Sequence, residues 1–319
     1  MRILTALIVA AALVLPLQAA AQTFPDKPVK IIVGVHAGAA GDLMARFLSD
    51  ALSAKTGQRF VVEDIPGANG AMAAAEAIAA PKDGYTIMFS ASSLLTVSPH
   101  INESIKWNPT TDFEPIVEVG VTPIAIAVHK DSPIQSLQTL FDAAKAEPGT
   151  LTTGVLPLAM PDFAVTMLHR DAKVDLKKIP FSGGGDIMAA ALSREIDVIF
   201  AGIGGVVSQF ESGNLKLIGV TTTQRMEAYP DAPTVAEIVP NYDAGSWFGF
   251  FGPTGMDAAA KEGMNRLVND ILMDPEIREK LEKMGTAPTG GSPDDMKRRL
   301  DADYERFGNV VSEIKASAK

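Results

Sequence analysis

In the first third of the chain, short apolar-rich runs alternate with segments whose apolar residues recur at helical spacing. Short apolar-rich runs at residues 29–35, 59–63 and 85–90 are typical of buried strands. Between them, apolar residues recur at the spacing of amphipathic helices, over residues 42–55 and 71–80. Because strands and helices alternate at this pitch, the pattern predicts parallel sheets with helices on both faces.

The same alternation starts again beyond residue 123. The predicted strands cover residues 124–128, 151–153, 178–181, 197–201 and 215–220, and the predicted helices cover residues 136–146, 161–169, 186–193 and 206–212. Ser136 is placed to cap the first of these helices, and Thr234 with Glu237 fits a capping box. The C-terminal part is predicted to be helical, with helices that open at Asp274 and Ser292.

The last predicted helix carries one apolar stripe, which indicates core packing rather than a partner surface. The stripe consists of Met296, Leu300, Tyr304, Phe307, Val311 and Ile314.

The restart of the pattern predicts two α/β lobes. We place the first lobe at residues 22–122 together with 246–319, and the second at 123–245, as an insertion into the first. Two chain crossings between the lobes would form a hinge and a cleft. Ligands of open α/β sheets bind outside the carboxyl ends of the strands, so we expect the ligand between the lobes, where closure buries it.

The first 21 residues are predicted to be a secretory signal peptide. Arg2 is followed by an uncharged apolar run at residues 3–17, and Ala19, Ala20 and Ala21 supply small residues for cleavage after Ala21. An N-terminal membrane anchor is the alternative, but this run is shorter than the roughly 20 residues that a span needs. No later segment is long and apolar enough to cross a bilayer, so we expect a soluble protein exported to the periplasm and not embedded in the membrane.

The composition excludes several classes of protein. The chain contains no cysteine, which rules out a disulfide scaffold, thiol catalysis, a cysteine-ligated zinc and an iron–sulfur cluster. Lysine and arginine number 28 against 38 aspartate and glutamate residues, a net charge of −10. Since nucleic-acid binding draws on a cationic surface, we expect no nucleic-acid partner.

Motifs that carry catalysis or bind cofactors are mostly missing from the sequence. None of the four histidines has the spacing of a zinc protease, and no Gly-x-Ser-x-Gly elbow occurs. Asp186 follows the glycines of residues 183–185 where a phosphate loop needs lysine, and residues 202–205 lack the spacing of a dinucleotide fingerprint. We therefore expect no metal and no cofactor.

Two glycine-rich turns between a strand and a helix are suited to holding an anion. They are residues 37–41 and residues 182–185. Small residues let a ligand approach backbone N–H groups, and the start of a helix adds partial positive charge. Ordinary strand–helix geometry is the alternative for each turn. For Asp42 and Asp186 the role of helix N-cap is favoured over that of acid or base.

The chain resembles the extracytoplasmic solute-binding proteins of tripartite tricarboxylate transporters, often called Bug proteins. The most specific stretches are Glu63-Asp64-Ile65-Pro66-Gly67-Ala68-Asn69-Gly70-Ala71, Asp83-Gly84-Tyr85-Thr86, Asp112-Phe113-Glu114-Pro115-Ile116, Ala232-Pro233-Thr234-Val235-Ala236-Glu237 and Trp247-Phe248-Gly249. The resemblance covers nearly the whole chain beyond the signal peptide. It implies a type II periplasmic-binding-protein fold, with two Rossmann-like lobes that close on a small organic carboxylate. It also implies delivery to two integral membrane transporter subunits, and we expect the receptor to be a monomer.

The positions that match the family's binding loops are the candidate ligand-binding residues. They are His36, Ala37, Gly38, Ala39, Ala40, Gly41, Asp42, Ser92, Ser93 and Ser98 in the first lobe, and Leu156, Leu158, Met160, Asp162, Phe181, Ser182, Gly183 and Ala201 in the second. Compared with the family pattern, the first loop has lost a hydroxyl and gained His36, and the second-lobe positions are less polar apart from Asp162. This departure predicts a carboxylate with an apolar aromatic or aliphatic body rather than citrate.

Two alternatives to a transport receptor remain open. An exported hydrolase or lyase could use the same cleft with His36 and Asp42, although the sequence contains no assembled nucleophile and base. A binding protein that serves a sensor kinase is the other.

Overall fold

The computed structural model describes residues 24–317, so the predicted signal peptide lies outside the described residues. The strands in this part of the chain are β1 (Val29–Val33), β2 (Phe60–Asp64), β3 (Thr86–Ala91), β4 (Phe113–Thr122), β5 (Ile124–His129), β6 (Thr152–Val155), β7 (Lys177–Pro180), β8 (Val198–Gly202), β9 (Leu215–Val220), β10 (Ser246–Pro253) and β11 (Ala287–Pro288).

Side-chain caps mark the starts of several of the described α-helices, including α5, α6, α10 and α11. Ser136 and Thr139 form a reciprocal capping box before α6, and Asp274 accepts a hydrogen bond from the N–H of Glu276 before α11. The α-helices are α1 (Ala40–Thr56), α2 (Ala71–Ala79), α3 (Ser92–Thr96), α4 (Ser98–Ile101), α5 (Pro109–Asp112), α6 (Leu137–Ala146), α7 (Met160–Ala172), α8 (Gly184–Leu192), α9 (Ile203–Glu211), α10 (Ala258–Leu272), α11 (Pro275–Lys283) and α12 (Pro293–Ser317).

The strands form two sheets, and both sheets are mixed. The first has the order β11-β4-β10-β3-β1-β2, and the second has the order β7-β6-β8-β5-β9. Strand β1 is parallel to β2 and β3, and β6 is parallel to β7 and β8, as the alternation predicts.

The expectation of purely parallel sheets is wrong for the strands that connect the two halves. Strand β10 lies antiparallel between β3 and β4, and β5 lies antiparallel to β8 and β9. The chain passes from β4 of the first sheet to β5 of the second at Pro123. It returns to the first sheet near Gly245, where β10 begins. A strand becomes parallel to its neighbour when a helical crossover connects the two. The segment before β10 comes from the other sheet, so no such crossover makes β10 parallel to β3 or β4.

Helix α12 packs against the cores of both sheets. Met296 and Leu300 are buried in an apolar cluster with Trp247, on the side of the first sheet. Phe307 and Val311 are buried in the cluster that covers the second sheet. The interpretation of the apolar stripe as core packing is therefore confirmed, whereas the division of the chain at residues 123 and 245 stays a prediction.

A group of buried and half-buried charges lies where α12 meets the two chain crossings. The guanidinium of Arg299 lies 2.9 Å from Asp243 Oδ2, 3.4 Å from Glu118 Oε2 and 3.7 Å from Asp303 Oδ2. Glu118 belongs to β4 and Asp243 precedes β10, so a single arginine connects both crossings to the last helix. We call Glu118, Asp243, Arg299 and Asp303 the hinge cluster.

Two further side chains complete the hydrogen bonds of Asp303. The indole N–H of Trp247 donates to Asp303 Oδ2 at 2.7 Å, and Arg306 lies 2.6 Å from Oδ1. Arg306 also donates to the backbone carbonyl of Asp243. The cluster thus fixes the start of β10 relative to α12.

Burial sets the protonation behaviour of the hinge cluster. It raises the pKa of Glu118 and that of Asp303. Arg299 offsets this effect only partly at Glu118, and Arg306 and Arg299 offset it only partly at Asp303. Burial alone would lower the pKa of Arg299, but the three carboxylates outweigh it and raise that pKa above its ordinary value.

Replacing the central arginine tests this arrangement. Arg299→Met should lower the free energy of unfolding by about 2–4 kcal/mol at pH 7, because buried carboxylates lose their cation. The loss should shrink towards pH 5. A carboxyl group with a raised folded pKa contributes stability that is present below its unfolded pKa and is lost as the pH rises through its folded pKa. Urea unfolding at several pH values measures both effects.

The matched control is Arg298→Met. Arg298 is the preceding residue of α12, its side chain is 71% exposed, and it pairs only with Asp295 in the ion pairs described here. We expect a loss below about 1 kcal/mol for this variant. Equal losses in the two variants, or no pH dependence for Arg299→Met, would contradict the role of the hinge cluster.

Candidate functional site

The loop between β1 and α1 is locked by an aspartate of its own helix. Gly38 adopts a positive φ of 84°, and its N–H donates to Asp42 Oδ2 at 2.7 Å. Asp42 Oδ1 lies 2.6 Å from Arg46 Nε, and Arg46 also pairs with Asp64. Asp42 is buried and is the third residue of α1, whose N-cap residue is Ala39. The N-cap interpretation of Asp42 is therefore wrong, because its carboxylate bonds backwards to the loop instead.

The loop between β6 and α7 repeats this lock in the second lobe. Leu158 has a positive φ of 63°, and its N–H donates to Asp162 Oδ2 at 3.0 Å. Asp162 Oδ1 lies 2.6 Å from Lys178 Nζ, and Asp162 is buried as the third residue of α7. The correspondence between the two loops is not apparent in the sequence, since they share little besides the aspartate.

A third aspartate at the same helix position accepts no such hydrogen bond from the preceding loop among the described residues. Asp186 is the third residue of α8, whose N-cap residue is Gly183, so it is not an N-cap either. It is exposed, which makes it a useful reference for the other two.

A cavity of about 420 Å³ lies at the start of α1, and we call it the first-lobe cavity. Ala39, Ala40 and Gly41 form one part of its wall, and Ser93 and Ser98 form another. Because the N–H of Leu43 bonds to the carbonyl of Ala39, the N–H groups of residues 40–42 have no partner within the helix.

Aromatic rings supply an apolar part of the first-lobe cavity. Phe89 of β3 and Phe248 of β10 stack with ring centroids 5.6 Å apart and both line the cavity. Leu158 also lines it, although this residue follows β6 of the second sheet. The first-lobe cavity is therefore bounded from both sides of the cleft.

A second cavity, of about 550 Å³, lies against the second sheet, and we call it the second-lobe cavity. Leu156, Pro161, Met188 and Ala201 supply apolar walls, and glycines at the starts of α8 and α9 supply accessible backbone. These glycines are Gly184, Gly185, Gly202 and Gly205, and none has an atom within 4 Å of the position that a Cβ would take.

The cavity walls carry no fixed charge. Of the described residues that line the two cavities, none has a charged side chain. An anion in this cleft would be held by backbone N–H groups, helix dipoles and serine hydroxyls. The described residues also contain no group of three or more potential metal ligands, and no helix among them has the length and hydropathy of a membrane span.

Several candidate residues from the sequence lie away from both cavity walls. His36, Ala37 and Gly38 are exposed at the tip of their loop, and Ser182 and Gly183 lie in the turn before α8. Ser92 is buried, where its Oγ lies 3.0 Å from Ser246 Oγ and accepts a hydrogen bond from the N–H of Trp247. Met160 and Phe181 pack against the apolar clusters of the second lobe.

The cavity residues that the sequence did not indicate include Asn69 in a turn, and Phe89 and Phe248 on strands. Phe89 ends the apolar run of a predicted strand, so its place at the carboxyl edge could have been inferred. Phe248 belongs to β10, which the pattern did not predict, so no periodicity pointed to it. Gly184 and Gly185 belong to a turn that the sequence predicted to be suited to an anion, whereas Gly202 and Gly205 were considered only as a dinucleotide motif with the wrong spacing.

The two locked aspartates should contribute to stability, unlike their exposed counterpart. Asp42→Ala and Asp162→Ala should each lower the free energy of unfolding by about 1–3 kcal/mol, because each leaves a loop N–H and a cation without their acceptor. Asp186→Ala should change it by less than about 0.5 kcal/mol. Chemical denaturation measures all three, and a loss in Asp186→Ala as large as in the others would refute the lock.

Comparisons with known proteins agree with this architecture. A family model described as the tripartite tricarboxylate transporter family receptor, TctC, matches residues 44–316. A UPF0065 protein of Bordetella bronchiseptica is 31% identical over 294 residues, which are 92% of this chain and 87% of that protein. Protein BugT of Bordetella pertussis is 28% identical over 302 residues, which are 94% of this chain and 93% of BugT.

Solved structures show the same fold. A TctC solute-binding protein from Polaromonas, with no ligand, matches with a TM-score of 0.83 at 23% identity and covers 91% of this chain and 100% of its own. Rpa4515 of R. palustris with adipate matches with a TM-score of 0.70 at 26% identity and covers 92% of this chain and 98% of its own. The predicted two-lobed, type II periplasmic-binding-protein fold is confirmed. Since the family model spans most of its length, the chain belongs to the tripartite tricarboxylate transporter receptor family of Bug-type solute-binding proteins.

Proposed function

We propose that this solute-binding receptor captures a small organic carboxylate with an apolar aromatic or aliphatic body. The observation that carries the proposal is the character of the cleft, whose two described cavities have no charged side chain in their walls. Backbone N–H groups and serine hydroxyls are available for one anionic group, and apolar side chains are available for the rest.

The carboxylate end of the ligand is assigned to the start of α1. The N–H groups of residues 40–42 and the positive end of the helix dipole favour an anion there, and Ser93 and Ser98 lie in the same wall. The chain's net charge of −10 opposes an anion at long range. Salt screens that repulsion over roughly 8–10 Å, so the local donors decide binding.

The apolar walls favour the body of the ligand over further polar groups. Each buried methylene stabilises binding by about 0.8 kcal/mol. A hydroxyl or extra carboxylate that lacks a partner against Leu156 or Leu158 costs about 1–3 kcal/mol or more. The adipate in the structure of Rpa4515 supports this ligand class, because adipate joins two carboxylates through an aliphatic chain.

Delivery and export complete the proposed role. The receptor is cleaved after Ala21, acts in the periplasm as a monomer and delivers its ligand to two integral membrane subunits. The family assignment supports the transporter partners. The exported-enzyme alternative needs an acid or base free to act, and Asp42 is instead engaged by Gly38 and Arg46. Service to a sensor kinase would use the same ligand site, and pull-down with the membrane subunits separates the two roles.

A ligand panel tests the proposed chemistry. Isothermal titration calorimetry of the mature chain should show that adipate or benzoate binds at least about tenfold more tightly than citrate, a difference of about 1.4 kcal/mol. Citrate binding more tightly than both would overturn the proposed apolar body. The absence of binding by every carboxylate in the panel would overturn the ligand class.

A single glycine tests where the carboxylate binds. Gly41→Val should weaken binding at least about 30-fold, because the added side chain would enter the cavity between Val35 and Phe248. A Cβ at Gly41 meets its nearest atoms at 3.6 and 3.9 Å, so the fold should tolerate the change. Gly38 is a poorer target, since its positive φ makes any side chain strained. Calorimetry gives the affinity and circular dichroism verifies the fold.

The control for this variant is Ala54→Val. It introduces the same β-branched side chain on an exposed position near the other end of α1. Its affinity should equal that of the unmodified protein. If Gly41→Val also binds normally, the carboxylate is held elsewhere.

A further inference from the structure

The second-lobe loop contains a leucine in a backbone conformation that leucine disfavours. Leu158 has a φ of 63°, in the left-handed region that residues with a branched side chain disfavour. The residue at the equivalent position of the first-lobe loop is Gly38, with a φ of 84°, which adopts this region readily. Each residue donates its N–H to the third residue of the following helix, so the two positions correspond.

The loop itself does not need the leucine side chain. Its shape is fixed by the hydrogen bond from Leu158 N–H to Asp162, by the ion pair of Asp162 with Lys178, and by the bond from Ala159 N–H to the Leu156 carbonyl at 3.1 Å. The first-lobe loop makes the matching bonds with glycine, including Ala39 N–H to the His36 carbonyl at 3.1 Å. These interactions hold both loops in the same shape with either residue, so they do not explain why a leucine stands at position 158, and the explanation lies in the contacts of its side chain.

The side chain of Leu158 lies in the wall of the first-lobe cavity. Among the described residues that line this cavity, Leu158 is the one that comes from between residues 123 and 245. Its companions in the wall include Val97, which lies between α3 and α4, and Ser98 and Ile101 of α4, on the opposite side. Leu158 is half-buried there and packs against the apolar cluster that contains Val97.

We propose that Leu158 sets the length of the ligand, as the second-lobe wall of the cavity that receives the carboxylate. This inference rests on the proposed function and adds a specificity-determining residue to it. With leucine present, a ligand anchored at α1 meets the isobutyl group of Leu158, so short and medium straight-chain dicarboxylates fit. With the isobutyl group removed, we expect this cavity to extend towards the second-lobe cavity. There Leu156 and Pro161 offer apolar surface to a longer chain, and the N–H groups at the start of α8 offer donors to its far carboxylate.

Two substitutions separate the side chain from the backbone strain. Leu158→Gly removes both, whereas Leu158→Ala removes the isopropyl group beyond Cβ and keeps a methyl side chain at positive φ. The full mature protein and both variants are titrated calorimetrically with succinate, adipate, suberate and sebacate. In both variants, binding of suberate or sebacate relative to adipate should improve about tenfold, as expected from burying roughly two more methylenes.

The control is Lys173→Gly. Lys173 ends the same helix, α7, is exposed, and has a φ of 56° in the same left-handed region. This variant removes a comparable strain far from the cavity wall, so its length preference should equal that of the unmodified protein. Thermal unfolding of each ligand-free form verifies that it is folded.

The outcomes distinguish this inference from the function on which it rests. If the unmodified protein binds dicarboxylates and both Leu158 variants keep its length preference, the role of Leu158 is wrong and the receptor function stands. The same conclusion follows if Lys173→Gly shifts the preference as much as the Leu158 variants do. If the unmodified protein binds no carboxylate at all, the proposed function is wrong, and the inference is overturned with it.

Discussion

Arg299 compensates three carboxylates at the place where the chain passes between its two sheets. Glu118 belongs to a strand that leaves the first sheet, Asp243 precedes the strand that returns, and Asp303 lies one turn further along the last helix. Each carboxylate would be costly to bury alone, so the three depend on Arg299 together with Arg306, which also pairs with Asp303. These cations keep two crossing strands and a helix in register.

The cleft itself relies on backbone rather than on side-chain charge. Both loops at its mouth are shaped by an internal aspartate, which leaves the N–H groups of the following helix turn available. Donors fixed in the backbone lose no side-chain entropy when they bind a ligand. Such backbone donors also bind a carboxylate group whatever the rest of the ligand is. Selection then depends on the residues that surround the body of the ligand, and this is where the two loops differ, with Gly38 in one and Leu158 in the other.

The sequence pattern located most of the regular elements, because a period of two or of 3.6 is a local property. It failed for β4 and β10. Glu118 interrupts the apolar run of β4, and it is tolerated there only because Arg299 approaches from a helix far along the chain. In β10 the interruption is Gly249, where a Cβ would lie 2.9 Å from the carbonyl oxygen of Val117. Strand direction was also misjudged, since local periodicity says nothing about which neighbour a strand will have. At the site, the glycine-rich loop was recognisable from its spacing, whereas the lock of Asp42 depends on a backbone conformation that no spacing reveals.

Helix α12 is the last element of the chain, and it contributes buried side chains to both cores. Met296 and Leu300 complete one apolar cluster, and Phe307 and Val311 complete the other. Neither half of the protein is therefore able to bury its core fully until the 25 residues of α12 are present. Premature termination of synthesis before α12 would leave apolar surface uncovered in both halves rather than in one. The two halves therefore complete their cores at the same step, when α12 packs against both.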